Sequence, residues 1–134
     1  MREFFTLPSQ IESVDLAATR ADEFAKRAGL DESFISSIDL AVRESVANAI
    51  KHGNRLEADK VVEIELVFTE GCFEMKVRDF GAGFDATSVP DPTDPENLLK
   101  ATGRGILFMK AFMDKVIWET HKDGGTVVHL IKNL

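Results

Sequence analysis

The hydrophobic period of this chain changes near residue 61, and that change limits what the chain can fold into. Across residues 9–53 apolar side chains recur at helical spacing, whereas from Val61 onward they alternate one by one. A 3.6-residue period buries one stripe of a helix and a two-residue period buries one face of a strand, so the two segments supply different layers. Ile11, Val14, Ala18, Ala21, Ala25 and Ala28 trace the first stripe. Ser9-x-x-Glu12 has capping-box form, which predicts a helix starting at Ser9 and running to about Ala28, with Gly29 as its left-handed C-terminal residue. Asp31 reads as a second N-cap, and Ile35, Ile38, Val42, Val46 and Ala49 carry a second helix to near Gly53. Ahead of both, the apolar run Phe4-Phe5-Thr6-Leu7 is stopped by Pro8.

Beyond residue 61, Val62, Ile64, Leu66 and Phe68 face one way while Glu63, Glu65 and Thr69 face the other, the pattern of a half-buried strand. Glu70-Gly71 predicts a turn into a second strand, where Phe73, Met75 and Val77 alternate with Glu74, Lys76 and Arg78. Asp79 then falls at the inward-pointing end of that strand. Residues 86–102 hold Pro90, Pro92 and Pro95 with Asp91 and Asp94, which predicts a long loop. An apolar helix at about Ile106–Met113 follows, then a strand at Lys115–His121, a turn at Lys122-Asp123-Gly124-Gly125 and a last strand at Thr126–Ile131. The order β-α-α-β-β-loop-α-β-β lacks the repeated βαβ units of a doubly wound sheet. It predicts an α+β domain, an antiparallel or mixed sheet with helices on one face.

Length and charge narrow the function classes. With 134 residues, 44% apolar, the chain supplies one core and falls short of the roughly 250 residues of a (β/α)₈ barrel. Twenty-three acidic against sixteen basic side chains give a formal charge of −7, a field that repels phosphate polymers and sets nucleic acid aside as the main partner. No window approaches the roughly 18 apolar residues of a membrane span, and the amino terminus lacks a signal-peptide stretch. We expect a cytoplasmic protein with no membrane contact. The single thiol, Cys72, has no intramolecular disulfide partner and reads as a small buried or edge residue, and the three histidines lack zinc-ligand spacing.

Four places can carry chemistry. Glu44 and Asn48 stand i,i+4 on the second helix, a proton acceptor and an amide on one face; a solvated polar face has the same spacing. Asp79-Phe80-Gly81-Ala82-Gly83 ends a strand in an acid followed by glycines, whose backbone can adopt positive φ; a bare tight turn has the same composition. Asp79-Phe80-Gly81 also spells the magnesium-binding tripeptide of eukaryotic-type kinases, but none of their other segments precedes it. Thr102-Gly103-Arg104-Gly105 opens the third helix, where exposed backbone N–H groups attract phosphate, although neither the P-loop nor the dinucleotide fingerprint is present. Gly125-Thr126 begins the last strand, where a threonine hydroxyl can support a neighbouring acid. Lys51 and Arg104 are candidate phosphate contacts, and His52 reads as a cap on the free carbonyls ending helix two.

In order, Glu44-x-x-x-Asn48-Ala49-x-x-His52-Gly53, Asp79-x-Gly81-x-Gly83, Gly103-Arg104-Gly105 and Gly125-Thr126 resemble the N, G1 and G2 boxes and terminal threonine of the GHKL, or Bergerat-fold, ATPases. From about residue 3 to 133 the chain resembles the anti-sigma factor serine/threonine kinases of the RsbW/SpoIIAB type. The resemblance implies a single domain over residues 1–134, a two-layer α/β sandwich with a mixed, mostly antiparallel sheet and an ATP lid at about 86–102. It implies ATP and Mg²⁺ as ligands: Asn48 for the metal, Asp79 for the adenine amino group, Thr126 backing that contact, and Gly81 and Gly83 turning the chain close to the nucleotide. Gly103, Arg104 and Gly105 would meet the phosphates, with Lys51 and His52 counted in the nucleotide-binding set, and Glu44 would be the general base. The implied partners are a STAS-domain anti-anti-sigma protein as substrate, an RNA polymerase sigma factor, and a second copy of the chain in a homodimer. A nucleotide-dependent sequestering protein with negligible phosphoryl transfer, or a kinase acting on another target, is the alternative.

Overall fold

The computed structural model describes residues 1–81 and 105–134, with the backbone alone at 105–108. The elements run β1 (Arg2–Pro8), α1 (Glu12–Arg27), α2 (Glu32–Asn48), a π-helical turn (Ala49–Gly53), β2 (Val61–Thr69), β3 (Cys72–Arg78), α3 (Gly105–Phe112), β4 (Lys115–Thr120) and β5 (Thr126–Asn133). The five strands form one sheet in the order β1-β2-β3-β5-β4, and every neighbouring pair is antiparallel. The sheet expected to be antiparallel or mixed is therefore wholly antiparallel among the described residues, on the α+β architecture that the period change predicts.

Alternation decides which sheet face meets the helices. Val62, Ile64 and Leu66 of β2, Phe73, Met75 and Val77 of β3, and Val128 and Leu130 of β5 are buried, while Glu63, Glu65, Glu74, Lys76 and Arg78 occupy the alternate positions. Phe68, read as inward, is only half-buried near the end of β2. α1 brings Ala17, Ala18, Ala21 and Ala25 to the interior, and Phe24 meets Phe73 edge-on with ring centroids 6.2 Å apart. α2 adds Phe34, Ile38, Val42 and Val46 and packs against both α1 and α3, whose Met109 completes the layer. Burying such a side chain contributes roughly 1.5–3 kcal/mol.

The starts of α1 and α2 differ in how far they follow local chemistry. The Asp31 carboxylate accepts the Phe34 N–H at 2.8 Å and starts α2 as expected. The Ser9 capping box does not form: α1 begins at Glu12, three residues later, and no side chain caps it. The reason lies in the sheet. Pro8 still pairs with Val61, and the Ser9 N–H donates to the Lys60 carbonyl at 3.1 Å, so Ser9 extends the strand geometry and is 2% exposed. Ile11, expected in the buried stripe, is exposed because it precedes the first helical turn.

Candidate functional site

The site grows from the C-terminal end of β3. The last β3–β5 pair is Arg78 with Val127, and one residue further the Asp79 N–H donates to the Thr126 carbonyl at 2.9 Å. The ladder then changes partner: the Thr126 N–H donates to Asp79 Oδ1 at 3.2 Å, and the Gly81 N–H donates to the same oxygen at 3.0 Å. Thr126 thus supports the acid through its backbone amide rather than through the hydroxyl that the sequence suggests. Among the described residues Oδ2 accepts no hydrogen bond. One carboxylate oxygen is saturated and the other remains an acceptor, an arrangement that suits an amino-bearing ligand.

Asp79 is 6% exposed. Burial pushes its carboxyl above the ordinary carboxylate range, while the Gly81 and Thr126 N–H groups, Lys60 and Arg78 act against that rise. Three glycines make room around it. A Cβ on Gly53 would overlap the Asp79 carboxylate, and a Cβ on Gly125, whose φ is +83°, would overlap the Asp79 carbonyl. A Cβ on Gly81 would overlap the Gly53 carbonyl. Gly81 therefore serves close approach between the loop and the end of the helix, without the positive φ that its composition allows.

The π-helical turn that follows helix two meets the same place through Gly53. The Asn54 N–H donates to the Ala49 carbonyl at 2.8 Å, a bond one residue longer than the α-helical one, and the wider turn brings Gly53 against Asp79. Such turns often stand at functional sites. Glu44 and Asn48 lie one helical turn apart in α2, both half-buried beside the apolar stripe. Lys51 and His52 are exposed on the π turn, and among the described residues the His52 side chain caps no carbonyl. The C-terminal cap expected of His52 is replaced by the Asn54 and Leu56 N–H groups, which donate to Ala49 and Ile50 carbonyls. Gly105 opens α3 as expected, whereas Gly83, Gly103, Arg104 and the loop at 86–102 lie outside the described residues.

Asn54 escapes sequence reasoning altogether. Following Gly53 at a helix end, it has the composition of an exposed turn residue, yet it has no exposed surface. Its Nδ2 donates to the Ser9 hydroxyl oxygen at 3.2 Å and to the Val61 carbonyl at 3.0 Å, and its Oδ1 accepts the Phe80 N–H at 2.8 Å. No local signal marks this residue, since two of its partners, Ser9 and Phe80, come from distant segments and the third is a backbone carbonyl at the start of β2.

A family description, the histidine kinase-like ATPase domain, matches residues 7–132. The chain belongs to the histidine kinase-like ATPase family. Within it, the chain is 36% identical over 104 residues to the anti-sigma F factor of Geobacillus kaustophilus, covering 75% of this chain and 70% of that protein. The anti-sigma F factor of Bacillus thuringiensis matches equally, at 36% over the same shares. The fold recurs in the RsbU and RsbW domains of Rv1364c from Mycobacterium tuberculosis, with a TM-score of 0.69 and 21% identity, covering all of this chain and 32% of that one. It recurs also in the SiaB-SiaC complex of Pseudomonas aeruginosa, with a TM-score of 0.63 and 13% identity over 98% of this chain and 89% of that one. Family membership makes ATP the ligand of this histidine kinase-like domain. The half-saturated Asp79 carboxylate fits an adenine, whose exocyclic amine is a donor. Among the described residues no helix is long and apolar enough to cross a membrane.

Proposed function

We propose that this protein is an ATP-dependent serine/threonine kinase and anti-sigma regulatory factor, which phosphorylates a STAS-domain anti-anti-sigma protein and binds an RNA polymerase sigma factor. One observation carries the reading. A buried carboxylate with one oxygen saturated meets the glycine end of the helix that bears Glu44 and Asn48, in a chain 36% identical to anti-sigma F factors.

Asp79 Oδ2 accepts the adenine amine, and the Thr126 and Gly81 N–H groups hold the carboxylate in place for it. Asn48 holds Mg²⁺, which screens the phosphate charge when bound. Lys51, Gly103, Arg104 and Gly105 serve the phosphates, His52 and Gly83 line the nucleotide, and residues 86–102 form its lid. Glu44 takes the proton from a partner's serine or threonine hydroxyl as that oxygen becomes a nucleophile. The family context adds a homodimer in the cytoplasm, which light scattering reads directly as twice the mass of the chain.

Glu44→Gln separates binding from chemistry. Calorimetry on this variant should return the wild-type affinity for Mg-ATP, while transfer of labelled phosphate to the STAS protein falls by about 10²–10⁴-fold, the range for a general base. Transfer that survives the substitution excludes Glu44 as the base. Wild-type protein that binds Mg-ATP but transfers no phosphate supports the sequestering alternative instead.

A further inference from the structure

The Asp79–Phe80–Gly81 backbone presents three successive N–H groups, each with a different partner. Asp79 donates to the Thr126 carbonyl, Phe80 to Asn54 Oδ1 and Gly81 to Asp79 Oδ1. The middle one is the only contact of the three made to a side chain outside the loop. The orientation of the Asn54 amide follows from its partners: Phe80 offers a donor and Val61 an acceptor, so a flipped amide would oppose like groups at both ends. Its second amino proton reaches Ser9 Oγ, and every polar atom of this wholly buried side chain is thereby used. Asn54 thus joins the β1–α1 junction, the start of β2 and the loop after β3 at one point.

The direction of the Asp79 carboxylate depends on that junction. Oδ1 is occupied because the Gly81 N–H lies 3.0 Å away, and Gly81 reaches there because the preceding peptide is held by Asn54. Were the Phe80 N–H released, the peptide could rotate, Oδ1 would lose one of its two donors, and the carboxylate would no longer present a single oxygen to a ligand. An aspartate at position 54 keeps an acceptor for Phe80, while an alanine keeps nothing.

We propose that Asn54 is a positioning residue for base specificity: through the Phe80 N–H it orients Asp79 so that the site prefers a purine bearing a 6-amino group to one bearing a 6-oxo group. The inference rests on the adenine reading of Asp79. It concerns which base is chosen, and Asn54 itself touches no nucleotide.

The test compares the dissociation constants of ATP and inosine triphosphate, which differ in the 6-substituent of the base. Wild-type protein should prefer ATP. In Asn54→Ala that preference should shrink by about tenfold, the factor of one hydrogen bond to a charged acceptor, while inosine triphosphate affinity stays within about threefold. A merely structural role would weaken both nucleotides together. Asn54→Asp, studied near pH 6, should retain the ATP preference even where its melting temperature falls, because the Phe80 acceptor survives. This variant decides the matter if Asn54→Ala does not fold. An undiminished preference in folded Asn54→Ala, or a lost preference in folded Asn54→Asp, overturns the role of Asn54 alone. Wild-type protein that binds both nucleotides equally overturns the adenine reading and the specificity role with it.

Discussion

Replacing Asp79 by Asn alters one oxygen and leaves the scaffold intact, so its consequence can be worked through. The amide side chain would retain Oδ1, and with it the Thr126 and Gly81 N–H groups now at 3.2 and 3.0 Å. Oδ2 would become an amino group, turning the acceptor that we propose for the adenine amine into a donor. An adenine amine facing it loses a hydrogen bond to a charged acceptor, about 1.5–3 kcal/mol, which weakens ATP binding roughly 10- to 150-fold. A 6-oxo purine gains a donor at the same point, so the preference between ATP and inosine triphosphate should reverse. The fold itself should barely respond. Burial raises the Asp79 carboxyl above its ordinary value of 3.8, so ionisation opposes folding, and the opposition is complete only above the raised value. A neutral amide removes that opposition near pH 7, and stability should stay within about 1 kcal/mol of wild type or rise. Calorimetric titration with both nucleotides, beside a urea melt, reads every part of this. An ATP affinity unchanged in a folded variant would show that Oδ2 does not face the base.

Gly125→Ala places a Cβ at φ +83° against the Asp79 carbonyl; we expect a loss of roughly 2–3 kcal/mol in urea unfolding together with weaker ATP binding, and a loss under about 0.5 kcal/mol would refute the close approach. At the α1–α2 contact, burial and then the neighbouring Asp39 raise the Asp22 carboxyl to about 7, against the attraction of Arg43 and Lys26, and Asp22 Oδ1 is buried with no hydrogen-bond partner among the described residues. Arg43 in turn binds Asp39 and Asp15. A carboxyl raised on folding favours the fold in acid, so its contribution is complete below pH 3.8 and is lost as pH rises through about 7. Asp22→Asn should therefore stabilise the protein at pH 8, by about 1–2 kcal/mol once solvent screening is allowed for, and should do nothing at pH 4. Equal effects in urea melts at the two values would exclude the raised Asp22 carboxyl.

Much of this fold is determined by sequence patterns that act over a few residues. The period change near Val61 separates helices from sheet, the Asp31 carboxylate starts α2, and alternation through Val62, Ile64 and Leu66 selects the face that is buried. Asp79 is legible for the same reason: counting by twos along β3 carries it inward. Glu44 and Asn48 follow from helical spacing. Other features arise only when distant segments meet. Ser9 has the local chemistry of a cap, yet the pairing of Pro8 with Val61 draws it into the sheet, because a continued ladder satisfies its backbone in place of the helix end. The α-to-π change at Ala49 leaves the composition of a helix end unaltered and is set by where Gly53 must pack. Asn54 has no periodic or capping signal, since its hydrogen bonds reach residues 9, 61 and 80. A carboxylate at a strand end is written in the chain, but its orientation depends on the Thr126 and Gly81 N–H donors brought from β5 and the loop. Those donors are adjacent only after the sheet and the helices have closed on one another.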